Sequence, residues 1–310
     1  MKILLVGYGH LGKWHAEKLL SLYGHNFIAI VELDKSKHST ISEKFPGVRI
    51  AENLNEVIDL VDAVAIATPT TFHYDLILKT LHKDKHCFVE KPMTSNLEQS
   101  IEIGKVLKSK KDKNLILQVG HSERFHGFWP ELLKIEQFNL SKIARIERVA
   151  PYKGRGDDVD IIYDLMIHDY DLLFMLGLGH PIEIQAWGKS CHTKMIDFCT
   201  SKLTYADKVV FVTASRSNVT ERRYAEFIFD NGILEVDLFK GEVRRSMKGV
   251  EDKFNQFDKR DHLLEEHKLF KNSIELGKGN QVNYQAGHIA MKMMDLTVRS
   301  INENKPIFWE

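Results

Sequence analysis

Lys2-Ile3-Leu4-Leu5-Val6 is the kind of short apolar run that a strand buried on both faces of a parallel sheet requires, and it leads directly into Gly7-x-Gly9-x-x-Gly12. No other stretch of the chain restricts the fold as tightly. Residues 11–22 follow at helical spacing (Leu11, His15, Lys18/Leu19, Leu22), and Phe27-Ile28-Ala29-Ile30-Val31 reads as a second strand. Buried-type runs recur at 63–67, 86–89 and 115–119, separated by helical stretches at 72–81 and 96–108. This alternation predicts an α/β protein whose residues 1–120 form a doubly wound parallel sheet.

The pattern changes after residue 120. A helix at 129–138 precedes alternating segments at 143–150, 182–187, 193–205, 208–216, 223–230 and 232–238, with Asn231-Gly232 as a turn signal. These predict an open, largely antiparallel sheet. Helices are expected at 168–178, 263–276 and 284–301. The second domain is therefore expected to be α/β and to span 121–310, with its last helix able to pack back on the first domain.

The 310 residues are enough for two cores, and 43 Lys plus Arg against 43 Asp plus Glu leave no basic excess for a nucleic acid or an anionic membrane surface. No stretch approaches the ~20 apolar residues of a membrane span. Cys87, Cys191 and Cys199 lack metal-ligand spacing, so no metal is assigned and a reducing, cytoplasmic compartment is expected.

Gly7, Gly9 and Gly12 close a strand and open a helix, the context in which such glycines let backbone approach a pyrophosphate at a helix N-terminus. His10 and Leu11 lie within that loop. Glu32 ends the second strand about 20 residues further on, where a carboxylate can accept from ribose hydroxyls. A 2'-phosphate would be repelled there, and only Lys35 and Lys37 lie nearby, so the expected cofactor is NAD rather than NADP. The plain alternative is a glycine turn that packs helix on strand.

Two further groups point to chemistry. Glu90-Lys91-Pro92 follows the fourth apolar run, where Lys91 can hold a substrate oxygen as hydride leaves the neighbouring carbon. Thr68-Pro69-x-x-x-His73 adds a loop after the preceding strand. In Asp164-Leu165-Met166-Ile167-His168-Asp169-Tyr170-Asp171, positions four apart share a helix face, so Asp164 can orient His168 as a proton acceptor. The alternative readings are a surface lysine before a turn proline, and a helix start in which Asp164 caps and His168 packs.

In order and spacing, these motifs resemble the Gfo/Idh/MocA oxidoreductase family over essentially the whole chain. The resemblance implies an N-terminal Rossmann domain and a C-terminal α/β domain whose open sheet mediates a homodimer or homotetramer. Lys91, Asp164 and His168 match the family's catalytic lysine and Asp/His pair. Thr68, Pro69, His73, Glu90 and Lys91 join the glycine loop and Glu32 as cofactor-binding positions.

Val119-Gly120-His121-Ser122-Glu123-Arg124-Phe125 and residues 158–169 are similar to a subgroup that oxidises C3 of UDP-N-acetylglucosamine for amino-sugar synthesis, lipid A included. Phe125-His126-Gly127 departs from the Asn-Pro expected after Arg-Phe. On this reading Arg124, Lys153 and Arg155 meet the diphosphate, Asp169 contacts substrate, and an aminotransferase consumes the ketone. Oxidation of another sugar or of inositol, an NAD-dependent glycosidase, and a non-catalytic NAD-binding regulator are the remaining alternatives.

Overall fold

The computed structural model describes residues 1–154, 159–249, 251–277 and 279–310. In chain order the first elements are β1 (Ile3–Val6), α1 (His10–Tyr23), β2 (Phe27–Val31), α2 (His38–Lys44), β3 (Arg49–Ala51), β4 (Ala63–Ile66), α3 (His73–His82), β5 (His86–Glu90), α4 (Leu97–Ser109) and β6 (Leu117–Gly120). Then come α5 (Trp129–Ile135), β7 (Ile143–Val149), a π-helical turn (Ile162–Met166), α6 (Ile167–Met175), β8 (Glu183–Lys189), β9 (Phe198–Thr204) and β10 (Val209–Ser215). The chain closes with β11 (Arg222–Phe229), β12 (Gly232–Asp237), β13 (Glu242–Met247), β14 (Lys253–Gln256), α7 (His262–Glu275), α8 (Tyr284–Glu303) and β15 (Ile307–Phe308).

Two compact units result, one made of residues 1–122 and 261–291 and the other of 123–260 and 292–310. The first holds a six-stranded parallel sheet in the order β3-β2-β1-β4-β5-β6. Apolar runs form its strands because helices cover both faces. Ile3 and Leu5 pack with Leu19, Ile41 and Phe270, while Leu4 and Val6 pack with Ile77, Leu81 and Ile103 on the opposite side. Each such burial contributes roughly 1.5–3 kcal/mol.

The unit boundaries differ from the 1–120 and 121–310 division expected above, because 261–291 belongs with the first sheet. The reason lies in tertiary contacts of α7. Phe270 packs on Phe88 with centroids 6.0 Å apart, and Asp261 pairs with Lys18 at 2.7 Å.

The second unit holds nine strands in the order β14-β13-β12-β11-β7-β10-β9-β8-β15. All neighbours pair antiparallel except β7 with β10. Tyr170 of α6 donates to Ser201 of β9 at 3.0 Å, and Ala186 of β8 donates its N–H to Ser300 of α8 at 2.9 Å. Strands β13, β14 and β15 were not anticipated; charged β13 and the fully exposed β14 carry no apolar alternation.

Candidate functional site

The strand order of the first sheet reverses between β1 and β4, the switch point where doubly wound folds bind ligands at the carboxyl edge. Gly7 turns there with φ +95°, and a Cβ on Gly12 would lie 2.2 Å from the Gly7 carbonyl oxygen, so neither position tolerates a side chain. A Cβ on Gly9 would meet nothing within 4 Å. Gly9 caps α1 without a side-chain bond, and the first turn, with His10 and Leu11, carries no acidic residue. The helix start therefore offers bare N–H groups to an anion.

Glu32 sits beside this loop with one oxygen accepting from the Tyr8 N–H at 2.8 Å and the other from the Asp34 N–H at 2.9 Å. The two lysines that could have met a 2'-phosphate are taken up. Lys37 lies 3.5 Å from both Glu32 and Asp34, and Lys35 pairs with Glu52 at 2.8 Å. Thr68, next along the edge, has a buried hydroxyl with no hydrogen-bond partner among the described residues. Open space at Gly9, an uncapped helix, an anchored carboxylate and an orphaned hydroxyl all suit a dinucleotide such as NAD.

Two expected cofactor contacts take a different place. His73 is buried, with its ring nitrogens 2.8 Å from the Pro92 carbonyl oxygen and 2.9 Å from that of Thr68, so it ties together the loops after β4 and β5. Burial pushes this imidazole below its ordinary value. Glu90 likewise turns into the protein, with one oxygen 2.9 Å from His15 Nε2 and the other accepting from the Lys91 N–H at 3.1 Å. Pro69 precedes a short helical turn, and Lys91 is partly buried at the carboxyl end of β5.

In the second unit, Asp164 falls in the π-helical turn and His168 in the first turn of α6, both partly buried. One continuous helical stretch thus carries the pair where sequence predicted a helix beginning only at 168. Asp169, expected to touch substrate, is instead fully buried: Arg148 of β7 donates to it from Nη2 at 2.8 Å and from Nε at 3.0 Å. The same guanidinium donates to Glu123 at 3.1 Å, and Glu123 also meets His126 at 2.9 Å and Arg223 at 3.2 Å. Burial works to raise the Glu123 carboxyl, but the Arg148 charge and the His126 bond hold it well below the usual range.

Arg124, expected at the diphosphate, has a buried partner in Asp171. Its Nε and Nη2 donate to the two Asp171 oxygens at 2.6 and 2.5 Å, both side chains are buried, and the guanidinium lies 5.7 Å from the Phe174 ring centroid. A guanidinium held this way inside the unit is not placed to meet a diphosphate. Lys153 is half exposed, pairs with Glu221 at 3.0 Å, and lines a cavity of about 380 Å³ together with Tyr152, Asp164, Arg216 and Arg223. Arg155 lies outside the described residues.

Sequence reasoning missed Glu123, Arg148, Arg216 and Arg223. A signal for Arg148 existed: it follows Ala144 and Ile146 on the inward face of β7, where a charge calls for a buried partner. Among the described residues, no group of three or more His, Cys, Asp or Glu could hold a metal ion, and no helix is long and apolar enough to cross a membrane.

Residues 1–121 match the family profile described as "Oxidoreductase family, NAD-binding Rossmann fold". The chain is 29% identical to the UDP-N-acetylglucosamine 3-dehydrogenase of Acidithiobacillus ferrooxidans, over 88% of each chain. A solved structure of that enzyme superposes with a TM-score of 0.90, covering 98% of each chain at 26% identity. The myo-inositol 2-dehydrogenase of Thermotoga maritima is 25% identical over 99% of this chain and 98% of its own. Glycine loop, strand order and profile agree: residues 1–121 form an NAD-binding Rossmann domain of the Gfo/Idh/MocA oxidoreductase family.

Proposed function

We propose that this protein is an NAD-dependent dehydrogenase that oxidises a secondary hydroxyl of a nucleotide sugar to a ketone, namely C3 of UDP-N-acetylglucosamine. The observation that carries this reading is the likeness, over most of both chains, to the Acidithiobacillus ferrooxidans enzyme. The first unit holds the cofactor: Gly7, Gly9, His10, Leu11 and Gly12 receive the pyrophosphate, Glu32 the adenosine ribose, and Thr68 and Pro69 border the same edge. When bound, NAD supplies the hydride acceptor.

Lys91 donates a hydrogen bond to the reacting oxygen and stabilises its charge. His168 takes the hydroxyl proton, with Asp164 orienting its ring. Lys153 and Arg223, half exposed and sharing Glu221 as counter-ion, meet the diphosphate in place of Arg124. We further infer a homodimer or homotetramer formed through the sheet face that exposes Ile143, Trp187 and Phe211. Three free cysteines, Cys87 and Cys199 among them buried, suit a cytoplasmic setting.

The test is incubation with NAD and UDP-N-acetylglucosamine, adding an aminotransferase and amino donor to remove the ketone. Growth of NADH absorbance is expected. Turnover of inositol with none of any UDP-sugar would replace this reading by that of the Thermotoga maritima relative, and release of free sugar without net NADH would indicate a glycosidase.

A further inference from the structure

Behind Lys91 runs a line of buried polar groups that the proposed chemistry does not use. Glu90 ends β5 with both oxygens engaged, one by the Lys91 N–H and the other by His15 Nε2. His15, on α1 and fully buried, has its Nδ1 2.8 Å from Nε2 of His267 on α7, which is also fully buried. Phe88 packs on both rings, its centroid 5.5 Å from that of His15 and 4.7 Å from that of His267. The Glu90 carboxylate has little room: a Cβ on Gly120 would lie 2.9 Å from Glu90 Oε1.

The proton count along this line follows from what is left over. Among the described residues, His267 Nδ1 is buried with no hydrogen-bond partner. A bare ring nitrogen tolerates that position better than an N–H, because buried donors without acceptors are the rarer and costlier orphans. His267 therefore carries its proton on Nε2 and donates to His15 Nδ1. That leaves His15 to donate from Nε2 to Glu90, so both imidazoles point their protons toward the carboxylate beside Lys91.

We propose that His15 and His267 are positioning residues for Lys91, acting through Glu90: the imidazole pair fixes the Glu90 carboxylate, and Glu90 fixes the Lys91 backbone. This rests on the catalytic role of Lys91 proposed above. The charged and titratable groups facing Glu90 are His15 from α1, His73 from α3 and Lys91 on its own chain segment; His15 is faced in turn by His267 from α7. Burial works to raise the Glu90 carboxyl, and the His15 contact, followed by Lys91, outweighs it and holds the group below its ordinary value. Removing His15 takes away the larger of the two contacts that oppose burial, so Glu90 should protonate at higher pH.

The experiment has two arms. Long-range proton–nitrogen NMR of histidine side chains in the full-length protein, without substrate, should show His267 protonated on Nε2 and His15 on Nε2; an Nδ1–H on His267 overturns the relay. In the second arm, His15→Leu should lower kcat by about tenfold to a hundredfold, as expected for losing a hydrogen bond to a charged group, with the KM for NAD within about twofold. Its acid limb should move to higher pH. His15→Gln, which keeps an N–H for Glu90, should restore the limb and most of kcat. A folded His15→Leu enzyme whose acid limb stays at the wild-type position shows that the pair only packs. Absence of dehydrogenase activity in the wild type would count against the proposed function alone, since the NMR arm decides the relay by itself.

Discussion

The first unit, the proposed cofactor half, and the second, the proposed substrate half, solve the problem of handling charge in different ways. At the glycine loop the donors are backbone N–H groups at the start of α1, and the anchored Glu32 is held by two more backbone N–H groups. In the second unit, side chains hold one another: Arg148 bridges Asp169 and Glu123, and Arg124 is locked to Asp171. A backbone site needs only the right glycines in the right order. A side-chain site depends on which distant residues meet, and residue type then says little about role.

His168→Ala should reduce kcat by about a hundredfold to ten-thousandfold, the usual contribution of a general base, while NADH still titrates protein fluorescence with an unchanged Kd. An equal loss of NADH affinity would put His168 in the cofactor half instead. Arg148→Met leaves the buried Asp169 carboxylate without its partner and Glu123 with only His126 and Arg223, so urea unfolding should show a loss of about 3–5 kcal/mol. A loss below about 1 kcal/mol would mean that the buried charges find other partners.

Gly12→Ala addresses the backbone side. A Cβ 2.2 Å from the Gly7 oxygen forces the loop to shift, and NAD affinity measured by calorimetry should fall by at least about tenfold. Glu32 and its captured lysines give a smaller effect: NADH should bind more tightly than NADPH, and Glu32→Gln should narrow the gap. Preference for NADPH in the wild type would sink the cofactor assignment.

The smallest effect concerns acid stability. A carboxyl held below its ordinary 4.5 stabilises the folded state at every pH above that value and loses this contribution only as pH falls through the depressed one. Thermal melts of Glu123→Gln should therefore show a flatter decline on the acid side than the wild type. An unchanged acid slope would show that Glu123 has no such linkage.

Much of the first sheet was legible because both of its faces are buried: strands covered by helices on each side must be apolar, and helices between them must be amphipathic. Short β3, with an exposed Arg49, and α2, with Ile41 as its one buried residue, carry too few apolar positions to register. Asp169 shows the opposite failure. An aspartate following a catalytic-type histidine reads as part of the site, yet its partner, Arg148, is 21 residues away on β7. His73 and Glu90 were recognised as belonging to the sheet edge, but not as groups turned inward to the Thr68 and Pro92 carbonyls and to His15.

The dinucleotide loop, the parallel sheet behind it and the Asp164/His168 spacing could be read from the residues alone, because each rests on positions close together in the chain whose geometry is local. That α7 joins the first unit, that Arg124 pairs with Asp171, and that His15 and His267 stand in line behind Glu90 came from folding in three dimensions. Those outcomes depend on which distant side chains share a buried volume. There, a charge or an imidazole takes its role from the partner that satisfies it, and the local sequence does not name that partner.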